Sequence, residues 1–136
     1  MAAAVAGLLA ISIALTGNGA PVNLGVIADK STYSSGEPVR LTVSVANRGA
    51  QPVTLTFRTA QRFDVRVRDA AGREVWRWSA ERVFAQAIGE ERLEPGGQRR
   101  WDVVVREALP PGSYTAVASL ESVDVKLSTS VGIMVR

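Results

Sequence analysis

Glu90, Glu91 and Glu94 crowd the stretch GEERLEPGGQ, and carboxylates this close are raw material for general acid–base catalysis or a calcium site. Their spacing fits no calcium-binding EF-hand loop, and Arg92, Arg99 and Arg100 stand beside them, so the stretch reads as a solvated loop. Serine nucleophiles are plentiful, but a serine attacks only with a base in reach. The chain contains no histidine, and neither Gly-x-Ser-x-Gly nor Ser-x-x-Lys occurs. Gly96-Gly97 lacks the following Lys-Ser/Thr of a phosphate loop and reads as a β-turn pair. With no cysteine either, disulfides and thiolate metal sites are excluded. The reading is a non-enzyme with no catalytic residues, no metal site and no cofactor.

What remains for recognition is shape and surface. Trp76 and Trp78 stand two apart in WRWSAERVFAQ, so on a strand they share one face. Two such rings either enrich the core, which must also take Trp101, or form a partly exposed platform rimmed by Arg77 and Arg82. Both outcomes stay open at the level of sequence. The net charge is +3, and of the sixteen basic residues only Lys30 and Lys126 are not arginine. Bases and acids interleave, as in RDAAGRE and GEERLEPGGQRR, so no basic stripe of the nucleic-acid kind appears and nucleic acid is not an expected partner.

The elements that must position these residues are strands. The 136 residues are 46% hydrophobic and 21% charged, one domain's worth of ordinary globular composition. From residue 22 onward apolar residues recur with period two. Val22, Leu24 and Val26 form one run; Val39, Leu41, Val43 and Val45 another; Val53, Leu55 and Phe57 a third; Phe63, Val65 and Val67 a fourth. Asp69–Gly72 predicts a hairpin turn with glycine supplying positive φ, leading into Glu74–Trp78. Ser79-Ala80-Glu81 predicts one helical turn capped by Ser79, and a short strand is expected around Phe84–Ile88. Trp101 to Val105, Tyr114–Leu120 and Val125 to Val135 complete the set, with Gly132 a candidate bulge. The fold class predicted is all-β: an immunoglobulin-like antiparallel β-sandwich of about eight strands with one short helical turn. Tyr114, following Gly112 at the start of a late strand, matches a tyrosine corner, whose hydroxyl bonds back to the backbone.

Residues 1–20 carry no charged side chain, and Ala2–Leu15 has the length of an export-signal core rather than a bilayer span. Cleavage after Gly19 or Ala20 is the expectation, leaving residues 21–136 as a single exported domain, secreted or in the cell envelope. An uncleaved anchor, which would be the only membrane contact, and a cytoplasmic chain are the alternatives. No Lys or Arg precedes the apolar run.

From Leu55 the order and spacing of several elements carry more than their physics. Gln61, Phe63 and Asp64, the Asp69-x-x-Gly72 turn, Val75-Trp76-x-Trp78-Ser79, Phe84-x-Gln86, Leu93-x-Pro95-Gly96 and Pro111-Gly112-x-Tyr114 fall in sequence. Over roughly residues 37–120 the chain resembles the intracellular proteinase inhibitor family called BsuPI. That resemblance implies an immunoglobulin-like sandwich and a protein partner, a serine protease, blocked by a loop or by simple occlusion of its cleft. No reactive-site residue carries over from the family pattern; the candidate protein-binding residues, read from the aromatic block and the loops, are Trp76, Trp78, Arg82, Phe84, Gln86 and Arg92, and the structural motif residues are Asp64, Gly72, Gly112 and Tyr114. The Gly89–Gly97 loop and the Ser79–Arg82 turn are the expected contact loops, with Arg92 suited to a trypsin-like pocket. The alternative function is a structural or adhesive immunoglobulin-like module of the bacterial cell envelope. The family's name places it inside the cell, whereas residues 1–20 read as an export signal.

Overall fold

The computed structural model describes residues 9–15 and 21–136. Eleven strands run among them: β1 Leu9–Leu15, β2 Pro21–Ala28, β3 Thr32–Tyr33, β4 Val39–Asn47, β5 Val53–Phe57, β6 Phe63–Arg68, β7 Glu74–Arg77, β8 Gly89–Leu93, β9 Gln98–Val105, β10 Gly112–Leu120 and β11 Ser128–Val135. One 3-10 turn, Trp78–Glu81, interrupts them. One sheet has the order β1-β2-β4-β9 and the other β3-β11-β10-β6-β7, while β5 and β8 make a separate two-stranded ribbon. All pairings are antiparallel except the short β3–β11 contact, which is parallel. The sandwich expected from the alternation is the fold observed.

Alternation explains what lies between the sheets. On β4 Val39, Leu41, Val43 and Val45 are buried while Arg40 is exposed; on β2 Val22, Leu24 and Val26 are wholly buried. Val65 and Val67 of β6 and Ala116 and Ala118 of β10 meet them from the other sheet. Each fully buried aliphatic side chain contributes about 1.5–3 kcal/mol, so this interior outweighs any surface ion pair, worth about 0–1 kcal/mol.

Most polar groups inside are matched, Asn23 Oδ1 on β2 being a buried exception. Asn47, wholly buried at the end of β4, donates from Nδ2 to the Gln51 carbonyl (2.7 Å) and the Leu93 carbonyl (3.0 Å), and its Oδ1 accepts the Gly49 N–H (2.9 Å). This one side chain ties the β4–β5 turn to the end of β8. The Tyr114 hydroxyl donates to the Pro110 carbonyl at 2.5 Å, forming the expected tyrosine corner, and Gly112 before it has φ +155°. The Tyr33 hydroxyl donates to Asp29 at 2.5 Å, and burial, with that bond behind it, pushes the phenol well above its ordinary range.

Several local expectations change. Leu9–Leu15 pairs along its whole length with β2, Leu9 opposite Ile27 and Leu15 opposite Pro21, and so adds a strand within the segment read as a leader. The remaining residues of that segment, with both expected cleavage points, lie outside the described residues. No strand covers Phe84–Ile88; the strand begins at Gly89, where the chain meets β5. Gly132 pairs in register with Thr115, so it is no bulge; the irregularity sits between Val67 and Arg68 instead. Regular pairing of β11 starts only at Ser128, although Val125 and Leu127 are buried as their period predicts.

Candidate functional site

The site begins with a self-contained turn. Gly72 has φ +85°, open space around it, and an N–H bonded to the Asp69 carbonyl at 2.9 Å. Asp69 Oδ1 accepts the Ala71 and Arg73 N–H groups, both at 2.9 Å, and the Arg73 amide foremost holds that carboxyl below its ordinary value. The turn folds β7 back on β6 with Val67 opposite Trp76 and Arg66 opposite Arg77.

Asp64 then bends the chain off the sheet edge. Nearly buried, at 5% exposure, its Oδ1 accepts the Val65 N–H (2.9 Å) and the Ser79 N–H (3.2 Å). Its Oδ2 accepts the Ser79 hydroxyl (2.6 Å) and an Arg77 guanidinium N–H (3.3 Å). The structural role expected of Asp64 is thus that of a clasp from β6 to the 3-10 turn. Two expectations fall to it. Ser79 is not a cap: Arg77 holds the cap position without a side-chain bond, and the Ser79 hydroxyl donates to the buried carboxylate instead of accepting from the turn. Nor do Trp76 and Trp78 share a strand face, because β7 ends at Arg77. A carboxylate shielded from water needs all the donors it can gather, and those bonds outweigh one solvated cap.

The tryptophans resolve into a column that is neither wholly core nor wholly platform. Phe63 of β6 stacks on Trp101 of β9 at 4.9 Å and on Trp78 at 4.3 Å, joining the two main sheets at one edge. Trp78 meets Phe84 at 5.6 Å, and the Arg82 guanidinium lies over its ring at 4.4 Å. Trp76, Trp78 and Trp101 are all partly buried against the core. A shallow groove of about 450 Å³ opens beside them between Trp76, Arg82 and Glu107.

Beyond this column the chain runs out into solvent from Arg82 to Ile88. Val83 is 99% exposed and Ile88 78%, and Gln86 is exposed with them. Arg82 is extended, with φ −121° and ψ 151°. Among the described residues the only backbone group from Val83 to Ala87 with an intramolecular partner is the Ala85 carbonyl, which accepts the Ala60 N–H at 2.9 Å. Yet both ends are braced. At the first, Arg82 stacks on Trp78 and donates from Nε to its carbonyl at 3.2 Å, and Phe84 tilts onto the same ring. At the second, Gly89 presses on the Arg62 guanidinium, where an added Cβ would stand 2.7 Å from Nη2. Arg62 is held in turn by Glu91 (2.9 Å), by the Thr59 carbonyl (2.9 Å) and over the Phe57 ring (4.6 Å). The Arg62 bond, with Arg99 adding to it, keeps the Glu91 carboxyl below its ordinary value.

Of the residues expected to bind protein, Arg82, Phe84 and Gln86 therefore lie on one braced segment, with Trp78 beneath it and Trp76 in the adjoining groove. Arg92 does not join them. The expected Gly89–Gly97 loop is in its first half strand β8, where Arg92 lies opposite Thr54 and its Nε bonds Glu94 at 2.6 Å. Leu93 explains the change: it is buried at 1% exposure and commits the preceding residues to pairing with β5. Sequence reasoning missed Arg62, Ala60 and Gly89 as braces. The one available signal was the glycine opening a charged run.

A family model described as intracellular proteinase inhibitor, BsuPI, matches residues 26–125. No curated protein sequence matches the chain. Among solved structures it is similar to the sporulation control protein Spo0M of Bacillus subtilis, with a TM-score of 0.55 at 17% identity, over 85% of this chain and 49% of that one. It is also similar to a Paenibacillus sp. cycloisomaltooligosaccharide glucanotransferase, TM-score 0.51 and 21% identity, over 81% of this chain but 13% of that one. The C-terminal domain of wzt gives a TM-score of 0.51 at 10% identity, over 94% of this chain and 70% of that one. The chain thus spans less than half the length of the first two, and at these identities the likeness is one of fold.

Proposed function

The chain belongs to the BsuPI family of intracellular proteinase inhibitors, and from that premise we propose that it inhibits a serine protease without chemistry of its own, by laying the segment Arg82–Ile88 in the protease cleft. The observation that supports this reading most is a combination of exposure and bracing. The segment is almost wholly exposed and, apart from the Arg82 N–H on the Ser79 carbonyl and the Ala85 carbonyl on the Ala60 N–H, its backbone groups have no partner among the described residues, yet it is pinned at both ends by side chains anchored in the sandwich. Proteases bind extended peptide by backbone pairing, and a free extended segment offers that edge. Bracing removes the ordering cost that a floppy loop would meet on binding. Flanking surface, with the groove beside Trp76, would complete the area of about 800 Å² per partner typical of protease–inhibitor pairs.

Titration of the purified chain against a panel of serine proteases tests this. Activity of at least one should fall in near-stoichiometric proportion to added protein. Rapid digestion of the chain by every protease, with no lag, would overturn the reading and leave the envelope-module alternative standing. We place the activity outside the cytoplasm, since the first charged residue is Asp29 and an apolar stretch precedes it. Mass spectrometry of the mature amino terminus checks this, and an intact Met1 in a soluble fraction would refute it.

A further inference from the structure

We propose that Val83 is the side chain that enters the primary specificity pocket, and that the target is accordingly an endoprotease with an apolar rather than an acidic pocket. This rests on the inhibitory reading above and names the partner class for the same segment. A lone exposed valine is ordinary on a protein surface. Val83 differs because both its neighbours are turned back onto the protein: Arg82 lies over Trp78 with its Nε on that residue's carbonyl, and Phe84 packs on the same ring. Between two side chains held against the sandwich, the one at 99% exposure projects outward.

The competing positions are weaker. An acidic pocket calls for arginine or lysine. Arg82 would have to leave both its Trp78 contacts, and Arg92 sits in β8 bonded to Glu94. Ile88 is exposed at 78%, but it adjoins Gly89, where the chain descends onto Arg62 and into β8. It suits a secondary contact five residues along.

The bracing also accounts for how such a segment outlasts the protease. Attack of the protease serine oxygen on the Val83 carbonyl forms the acyl bond, breaks the Val83–Phe84 C–N bond and releases the Phe84 amine, which takes up the serine proton. Ordinarily the amine diffuses off and water hydrolyses the ester. Here Phe84 is held on Trp78, and the Ala85 carbonyl is bonded to the Ala60 N–H at 2.9 Å. The amine stays beside the acyl carbon, attacks it, returns the proton to serine and restores the amide. The same contacts that expose Val83 therefore favour resynthesis over release.

The test uses the whole chain with Val83→Asp, Val83→Arg and Ile88→Asp, assayed against a subtilisin-type and an elastase-type protease, both with apolar pockets, and against trypsin. Because Val83 touches almost nothing, unchanged thermal melting should verify that each variant folds. Val83→Asp should weaken inhibition of an apolar-pocket protease by ~30-fold or more, the effect of removing a central anchor. Val83→Arg should carry inhibition over to trypsin, and Ile88→Asp should cost under ~10-fold. Prolonged incubation should give one slow nick, between Val83 and Phe84 by mass spectrometry. Undiminished inhibition by Val83→Asp, a nick elsewhere, or wild-type inhibition of trypsin alone would overturn the assignment while leaving the inhibitory reading intact. If the wild type inhibits no protease, both fall together.

Discussion

Two connections at opposite ends of β6 solve the same problem in opposite ways. The Asp69–Gly72 turn between β6 and β7 closes on itself: its bonds run between residues at most four apart, and Gly72 supplies the backbone conformation. The Arg82–Ile88 segment closes on nothing of its own. Its supports are Trp78, Ala60 and Arg62, and behind them Asp64 and Glu91. A turn that satisfies its own polar groups has little left to offer a partner. A segment held from outside keeps most of its backbone free while its ends are fixed, which is the state a protease-directed loop requires.

The sharpest way to separate the two is to remove the clasp. Asp64→Ala leaves Ser79 and Arg77 without their shared acceptor in a nearly buried site and should cost about 3 kcal/mol of folding stability, read from chemical denaturation. Beyond that global loss, limited proteolysis should show cleavage after Val83 accelerating sharply, since Ser79 no longer fixes the turn beneath Trp78. Cleavage at Ala70–Ala71 should rise only with the global loss, because that turn's bonds are its own. Equal acceleration at both places would mean that the clasp supports the whole hairpin edge and not the segment in particular.

A matched pair of glycine changes sharpens the contrast at lower energy. Gly72→Ala has room for its methyl group, but at φ +85° the cost is conformational, about 1–2 kcal/mol. Inhibition should be unchanged, because the loss lies in the self-closed turn. Gly89→Ala keeps an allowed backbone and meets only the tip of Arg62, which can swing away at the expense of its bond to Glu91. Its stability loss should stay under about 1 kcal/mol, the worth of a partly exposed ion pair. The segment it braces should nevertheless be cut several-fold faster. Inhibition assays and cleavage rates on the two variants give the check, and a reversed pattern would dissolve the distinction.

How much of this was legible in the sequence follows from the same division. The Asp-x-x-Gly turn, the strand alternation from Val22 to Phe57 and the Tyr114 corner have causes lying within a few residues, so a local reading finds them. Ser79 looked like a cap because its competing partner, Asp64, is fifteen residues back. Arg62 and Glu91 are twenty-nine residues apart, and no periodicity joins them. GEERL read as a loop because only Leu93 of the five is buried, the natural pattern for a two-stranded ribbon facing water. Arg92 was misplaced with it. Leu9–Leu15 has the composition of a leader, and composition carries no information about a strand partner. The exposed segment is where the local reading was poorest, since the Ala60 and Arg62 braces on it act across the fold.

The smallest effect expected is a pH dependence. Glu91 titrates below its ordinary value of 4.5 because Arg62 bonds its charged form. A carboxyl with a depressed folded-state value contributes stability that is fully present above 4.5 and is lost as pH falls through the lower folded value. Acidification should therefore slacken the Arg62 brace and with it the second end of the exposed segment. Asp69 shifts in the same direction from 3.8, but its turn keeps the Gly72 N–H bond to the Asp69 carbonyl and the glycine conformation, neither of which titrates. Hydrogen-exchange protection of the Ala60 amide, which reports the bond to Ala85, should accordingly fall relative to that of Gly72 as pH drops from 5 toward 3. The change is about 0.5 kcal/mol, and added salt should shrink it. If instead the Gly72 amide loses protection first, the turn depends on its aspartate charge more than on its backbone, and the self-closed region is the more fragile of the two.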